Sequence, residues 1–124
     1  MKKVMTMLAL ALAFAGSAPV LAHESPARHG GIVKSAGDMS FELVNKEGKT
    51  TLYVDDHGQE MATAGASGTL TVLKGTEKSQ FALVPGEKNT LVAREAVTLA
   101  RGNKVVAAVV LPNKQSVSVR FAIK

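Results

Sequence analysis

The sequence predicts an all-β domain behind an export signal, and three observations carry that expectation. Apolar and polar residues alternate with the two-residue period of a strand through most of the chain beyond residue 30. Turn-forming clusters interrupt this alternation at short intervals, and no segment keeps the apolar stripe of a helix. The expected fold is an immunoglobulin-like antiparallel β-sandwich of about seven or eight strands.

The first 22 residues have the order of parts that export requires. Lys2 and Lys3 form a positive start, Leu8 to Ala15 an unbroken apolar run, and Gly16 to Ala22 a region of small residues. Val20-Leu21-Ala22 suits a signal peptidase, whereas a cut after Ala18 would leave Pro19 beside the scissile bond. Cleavage after Ala22 is therefore expected, with His23 as the new first residue. Even extended from Val4 to Ala15, the apolar run is shorter than the roughly 18 to 20 residues of a bilayer span, so no membrane association is expected after cleavage. The two-lysine start fits a bacterial route, which places the processed protein in a Gram-negative periplasm.

Of the 124 residues, 102 remain after such a cut, enough for one domain with a single core. The expected organisation is a signal peptide over 1–22, a flexible arm over 23–30 and the sandwich over 31–124. There is no cysteine, so neither a disulfide framework nor a thiolate metal site is available. With Lys2 and Lys3 removed, thirteen basic residues face ten acidic ones, a net charge of +3. The basic residues are scattered over turns and strand edges and lack interleaved aromatics, so no nucleic-acid partner is expected.

The arm, His23 to Gly30, has no apolar periodicity and contains Pro26 and Gly30. Strands are then expected where Phe41 and Leu43 flank Glu42, Leu52 and Val54 flank Tyr53, Leu70 and Val72 flank Thr71, and Phe81 and Leu83 flank Ala82. Val105 to Leu111 is nearly all apolar, either a strand buried on both faces or one with small residues outward. The last strand sets Val117, Val119, Phe121 and Ile123 against Ser116, Ser118, Arg120 and Ala122. Turns are expected at residues 46–49, 56–58, 74–76, 85–87, 101–103 and 112–114. Residues 62–68, small and glycine-containing, are expected to form a crossing loop between sheets.

Recognisable catalytic patterns are missing: there is no Gly-x-Ser-x-Gly elbow, phosphate loop, His-Glu-x-x-His or dinucleotide fingerprint. No enzyme is expected. The three histidines, His23, His29 and His57, are the remaining chemistry. As the leading residue, His23 would present an imidazole and a free α-amine to one cation, a chelating pair that no internal histidine has. Both groups must lose a proton to bind, with reference pKa values of about 6.5 and about 7.7 to 8.0. A nitrogen-rich site without thiolate favours Cu(II), followed by Zn(II) and Ni(II).

His29 lies six residues on and could close onto the same ion, with Glu24 as an oxygen donor. Asp55 and His57 would share one face if their strand extended that far, and so complete the candidate ligand set His23, His29, His57 and Asp55. Each also has a plainer reading, since His29-Gly30 can mark a turn and Asp56-His57-Gly58 is ordinary hairpin chemistry. Met39 and Met61 are potential thioether donors, though such residues commonly fill gaps in a core.

His29-Gly-Gly-Ile-Val, Ala36-Gly-Asp with Phe41-Glu-Leu-Val, Leu52-Tyr-Val-Asp-Asp-His-Gly, and Gly65-Ala-Ser with Leu70-Thr-Val-Leu together resemble the small periplasmic module found alone or at the N-terminus of heavy-metal efflux adaptor subunits. The resemblance runs from about His29 to Lys124. It implies a periplasmic β-sandwich serving metal-cation export of the resistance-nodulation-division type, with metal-site histidines carried onto His29 and His57. The helical hairpin, lipoyl and barrel segments of a full adaptor are not in this sequence, and neither are the histidine-rich stretches common at such termini. The expected function is thus a copper- or zinc-binding accessory to metal efflux or resistance. The alternative is a non-catalytic sandwich that docks a pump or envelope partner without metal. A copper oxidase built on His23 lacks the aromatic surroundings such a site would need.

Overall fold

The computed structural model describes residues 26–124, so the expected export signal over 1–22, His23 and Glu24 lie outside the described residues. Within them the protein is all-β. The strands are β1 (Ile32–Ala36), β2 (Met39–Lys46), β3 (Lys49–Asp56), β4 (Gln59–Glu60), β5 (Ser67–Lys74), β6 (Glu77–Pro85), β7 (Thr90–Ala93), β8 (Lys104–Val110) and β9 (Ser116–Ala122). All pairings are antiparallel, in the order β1-β2-β3-β7-β6-β5-β8-β9, with β4 as a short addition to β3. The hydrogen-bonded path is continuous, and it curls until β1 and β9, its two ends, come into contact. The result is close to a barrel.

The expected alternation is what drives the curl, because each strand turns one row of side chains inward. Phe41 and Leu43 of β2, Leu52 and Val54 of β3, Leu70 and Val72 of β5, Val105, Ala107 and Val109 of β8, and Val119 and Phe121 of β9 form one core. Burying a Val, Leu or Phe side chain contributes about 1.5 to 3 kcal/mol, which makes this row the chief source of stability in a chain without disulfides. In β8 the outward row is Val106, Ala108 and Val110, partly or fully exposed, so this strand is not buried on both faces, and of its outward residues only Ala108 is small.

Two connections differ from the expected ones. Residues 62–66 form the loop, but Ser67 and Gly68 already belong to β5 and pair with Val110 and Val109. Gly68 has a steric reason to be there, since a Cβ on it would lie 2.7 Å from the Ala108 carbonyl oxygen. The strand β7 comes from Thr90-Leu-Val-Ala, too short to show a period, and its neighbours supply what its length does not: it joins β3 to β6.

The hairpin between β2 and β3 sets the geometry of everything below. Glu47 (φ 53°) and Gly48 (φ 83°) form a two-residue loop with both φ angles positive, the form whose twist matches the flanking strands. Lys46 then pairs with Lys49, and the register runs back to place Glu42 opposite Tyr53 and Ser40 opposite Asp55. These four side chains stand on the outer face of the sheet. Such a face is normally wet, yet Glu42 is only 6% exposed.

Candidate functional site

Residues 28–31 cover that part of the outer face. Gly31 lies so near β2 that a Cβ would collide with the Leu43 carbonyl oxygen and the Val44 side chain, and this approach brings the preceding residues across Glu42. The Glu42 carboxylate then accepts four hydrogen bonds. Oε1 receives the Arg28 N–H at 3.1 Å and His29 Nδ1 at 3.0 Å. Oε2 receives the His29 and Gly31 N–H groups, each at 2.8 Å. Burial pushes the Glu42 carboxyl up, but the His29 ring bond and the N–H groups of Gly31, His29 and Arg28 together outweigh it and hold the group below the ordinary carboxylate range. Glu42 is thus an anion that organises the segment before β1.

The imidazole of His29 lies flat on the Tyr53 ring, with centroids 3.6 Å apart and planes 4° from parallel. That platform is available because Tyr53 is the direct cross-strand neighbour of Glu42. An ionised carboxylate can only accept, so Nδ1 carries a proton and the neutral ring has its lone pair on Nε2. Among the described residues, nothing hydrogen-bonds to Nε2, and the side chain is 38% exposed. A carboxylate that fixes tautomer and ring orientation in this way is the usual outer partner of a metal-binding histidine.

Asp55 is the second acidic group here. Its carboxylate is oriented by the Asn89 side chain, which donates to Oδ1 at 3.3 Å and to the Val54 carbonyl at 3.1 Å, and it faces the Arg28 guanidinium at 3.6 Å. Together with Glu42, Tyr53 and Glu60, these residues line a polar cavity of about 20 Å³ under the Arg28-His29 segment. Asp55 and His29 are therefore brought to one small site.

His57 is not part of it. The expectation that Asp55 and His57 share a strand face is corrected by the end of β3 at Asp56: His57 takes a left-handed backbone (φ 54°) with Gly58 (φ 81°), and the chain reverses. The His57 ring turns away to two carboxylates, with Nδ1 2.6 Å from Asp56 Oδ1 and Nε2 3.2 Å from Asp38 Oδ2. Both ring nitrogens thus face carboxylates, with a hydrogen bond at Nδ1. Met39 and Met61 pack in and against the core, where they fill space.

Among the described residues, no three His, Cys, Asp or Glu side chains are grouped closely enough to hold a metal ion. His29 thus offers one oriented donor, and His23, the other histidine expected to bind, lies outside the described residues. The residues that sequence reasoning did not single out are Glu42, Tyr53, Arg28 and Asn89. Of these, the Glu42–Tyr53 pairing follows from the Lys46-Glu-Gly-Lys49 turn by counting back along both strands.

No protein-family model matches the chain, and no curated protein or solved structure matches it at a significant level.

Proposed function

We propose that the protein is a periplasmic binder of Cu(II) or Zn(II), accessory to metal efflux or resistance, in which Nε2 of His29 is a ligand. The observation that carries this reading is the combination at His29: Nδ1 committed to Glu42, the ring clamped on Tyr53, and Nε2 without a hydrogen-bond partner among the described residues on a side chain that is 38% exposed. Such preorganisation reduces the entropy lost when an imidazole is captured. The imidazole and α-amine of His23 would complete the set after cleavage behind Ala22, since only five residues separate the two histidines in the sequence. Asp55 is a neighbouring oxygen donor that Arg28 must release before it can bind. His57, with a carboxylate beside each ring nitrogen, is left out of the set. The efflux partner belongs to the same proposal and rests on the resemblance to the adaptor module.

An immunoglobulin-like sandwich is the finer fold description that goes with that resemblance. It is supported by the narrowness of the joint at β7, which pairs with β3 and with β6 over only three residue pairs each. The strands β1-β2-β3 and β6-β5-β8-β9 would then be its two layers.

Titration of the purified, processed protein with Cu(II) and Zn(II) by calorimetry tests the reading. About one equivalent is expected to bind near neutral pH, with a sharp loss in His29→Ala, in His23→Ala and on extending the terminus by one residue. Millimolar uptake that survives His29→Ala rejects it.

A further inference from the structure

Packing changes abruptly at the Gly30–Gly31 junction. On the far side, Gly31 is wedged against the backbone of β2 and Ile32 opens the β1 ladder by pairing with Leu43. On the near side, residues 26–30 are all exposed and none belongs to the core. Among the described residues, what holds them is a short set of polar contacts: two N–H bonds and a ring bond to Glu42, the stack on Tyr53, and the Arg28–Asp55 pair. All of these converge on one patch of β2 and β3, and most of them on one carboxylate, so they form and break together. Gly30 sits at the boundary with φ +77°, and no heavy atom lies within 4 Å of where its Cβ would be. Segments with few buried apolar contacts open locally, without global unfolding.

We infer that residues 26–30 are a strap hinged at Gly30, lifting from Glu42 and Tyr53 as one unit, and that capture of a divalent cation by His29 closes it. The second half of this inference rests on the reading of His29 as a ligand. Only the seated strap has its imidazole oriented by Glu42, and a cation on Nε2 makes the Nδ1 proton a stronger donor to that carboxylate. The cation therefore binds the seated form more tightly, and by linkage it shifts the hinge toward closure by the same factor.

Amide hydrogen exchange followed by NMR on the purified protein separates the two halves. Without metal, the Arg28 and His29 amides are expected to exchange at least a hundred-fold faster than the hydrogen-bonded amides of β5 and β8. Gly30→Ala adds a side chain into open space but forces a left-handed backbone on it, so it should accelerate both strap amides about five-fold or more while leaving the β5 and β8 amides unchanged. Equal rates for strap and core, or no response to Gly30→Ala, overturn the hinge. Zn(II) is the probe for closure and should slow the two strap amides several-fold. Zinc-induced shifts of the His29 ring without any slowing overturn the coupling and leave the ligand reading intact. Zinc that changes neither ring nor amides overturns the ligand reading and the coupling together, while the metal-free rates still decide the hinge.

Discussion

Replacing Glu42 by Gln changes one oxygen to an amide nitrogen at nearly constant shape, so its consequences can be worked from the four bonds the carboxylate accepts. Gln keeps a single acceptor oxygen. Its best placement leaves that oxygen on the His29 and Gly31 N–H groups, the two shortest contacts at 2.8 Å, and turns the NH₂ toward the Arg28 N–H and His29 Nδ1. The two retained bonds fall from charge-assisted to neutral, a loss of about 1 kcal/mol each, and the Arg28 N–H loses its partner. The His29 bond survives only if the ring switches tautomer and accepts from the amide. The sum is about 2 to 3 kcal/mol on the seating of residues 28–31. Global stability falls by less, because a strap that lifts limits the loss to its own seating free energy. A decrease of about 1 to 2 kcal/mol corresponds to roughly 5 to 15 °C in Tm for a domain of this size. Thermal unfolding followed by circular dichroism at neutral pH measures it. The tautomer switch also places a proton on Nε2, so Zn(II) affinity should drop about 10- to 100-fold. A variant that melts within 1 °C of the parent would refute the account of Glu42 as organiser of this segment.

Three further outcomes follow from the same geometry. Because the folded-state Glu42 carboxyl is held below its ordinary range, its stabilising contribution is complete above the unfolded carboxylate pKa, about 4.3, and is lost as pH falls through the lower folded value; the Tm gap between parent and Glu42→Gln should thus be constant near neutral pH and narrow in acid, as melting curves across that range will show. Gly31→Ala forces a Cβ against the Leu43 carbonyl, which is backbone and cannot rotate away, and should cost about 1 to 3 kcal/mol in urea unfolding. His57→Ala removes a ring that is 70% exposed, so stability should change by less than about 0.5 kcal/mol and calorimetric metal affinity should stay at the parent value.

The fold was legible in the sequence wherever a strand was long enough to show its period. Phe41-Leu43, Leu52-Val54, Leu70-Val72 and Val117 to Phe121 lie in strands, Ile123 falls just past the end of β9, and all these apolar residues are in or against the core. What escaped the pattern was set by contacts distant in sequence. Thr90-Leu-Val-Ala becomes β7 only because β3 and β6 flank it, and Gly68 reads as loop until the Ala108 carbonyl shows why a glycine stands in a strand. The site divided along the same line. His29 and Asp55 could be named from residue type, and both line one cavity. Glu42 could not, because a carboxylate between Phe41 and Leu43 is the ordinary wet position of a strand. It is exceptional only because Gly30 and Gly31 let the preceding chain double back over it.

The contrast between His29 and His57 turns on how many carboxylates reach the ring. A carboxylate at one nitrogen stabilises the tautomer whose other nitrogen has a free lone pair, so it raises the ring's value as a ligand. A second carboxylate beside the other nitrogen, as Asp38 stands 3.2 Å from Nε2 of His57, crowds the approach to that nitrogen. His57 has Asp56 and Asp38, on a turn whose left-handed backbone swings the ring between them. His29 has Glu42 at Nδ1, and the other face of its environment is an aromatic ring, which fixes the imidazole plane without competing for Nε2. Removing Asp38 should therefore convert His57 toward the His29 arrangement. In Asp38→Ala, Nε2 of His57 is released while Asp56 still holds Nδ1, and calorimetry should register a second, weaker Zn(II) site that disappears in the double variant with His57→Ala. If Asp38→Ala gains no site, occupancy of the ring nitrogens does not explain why one histidine is fit to bind and the other is not, and the assignment of His29 would lose its physical basis.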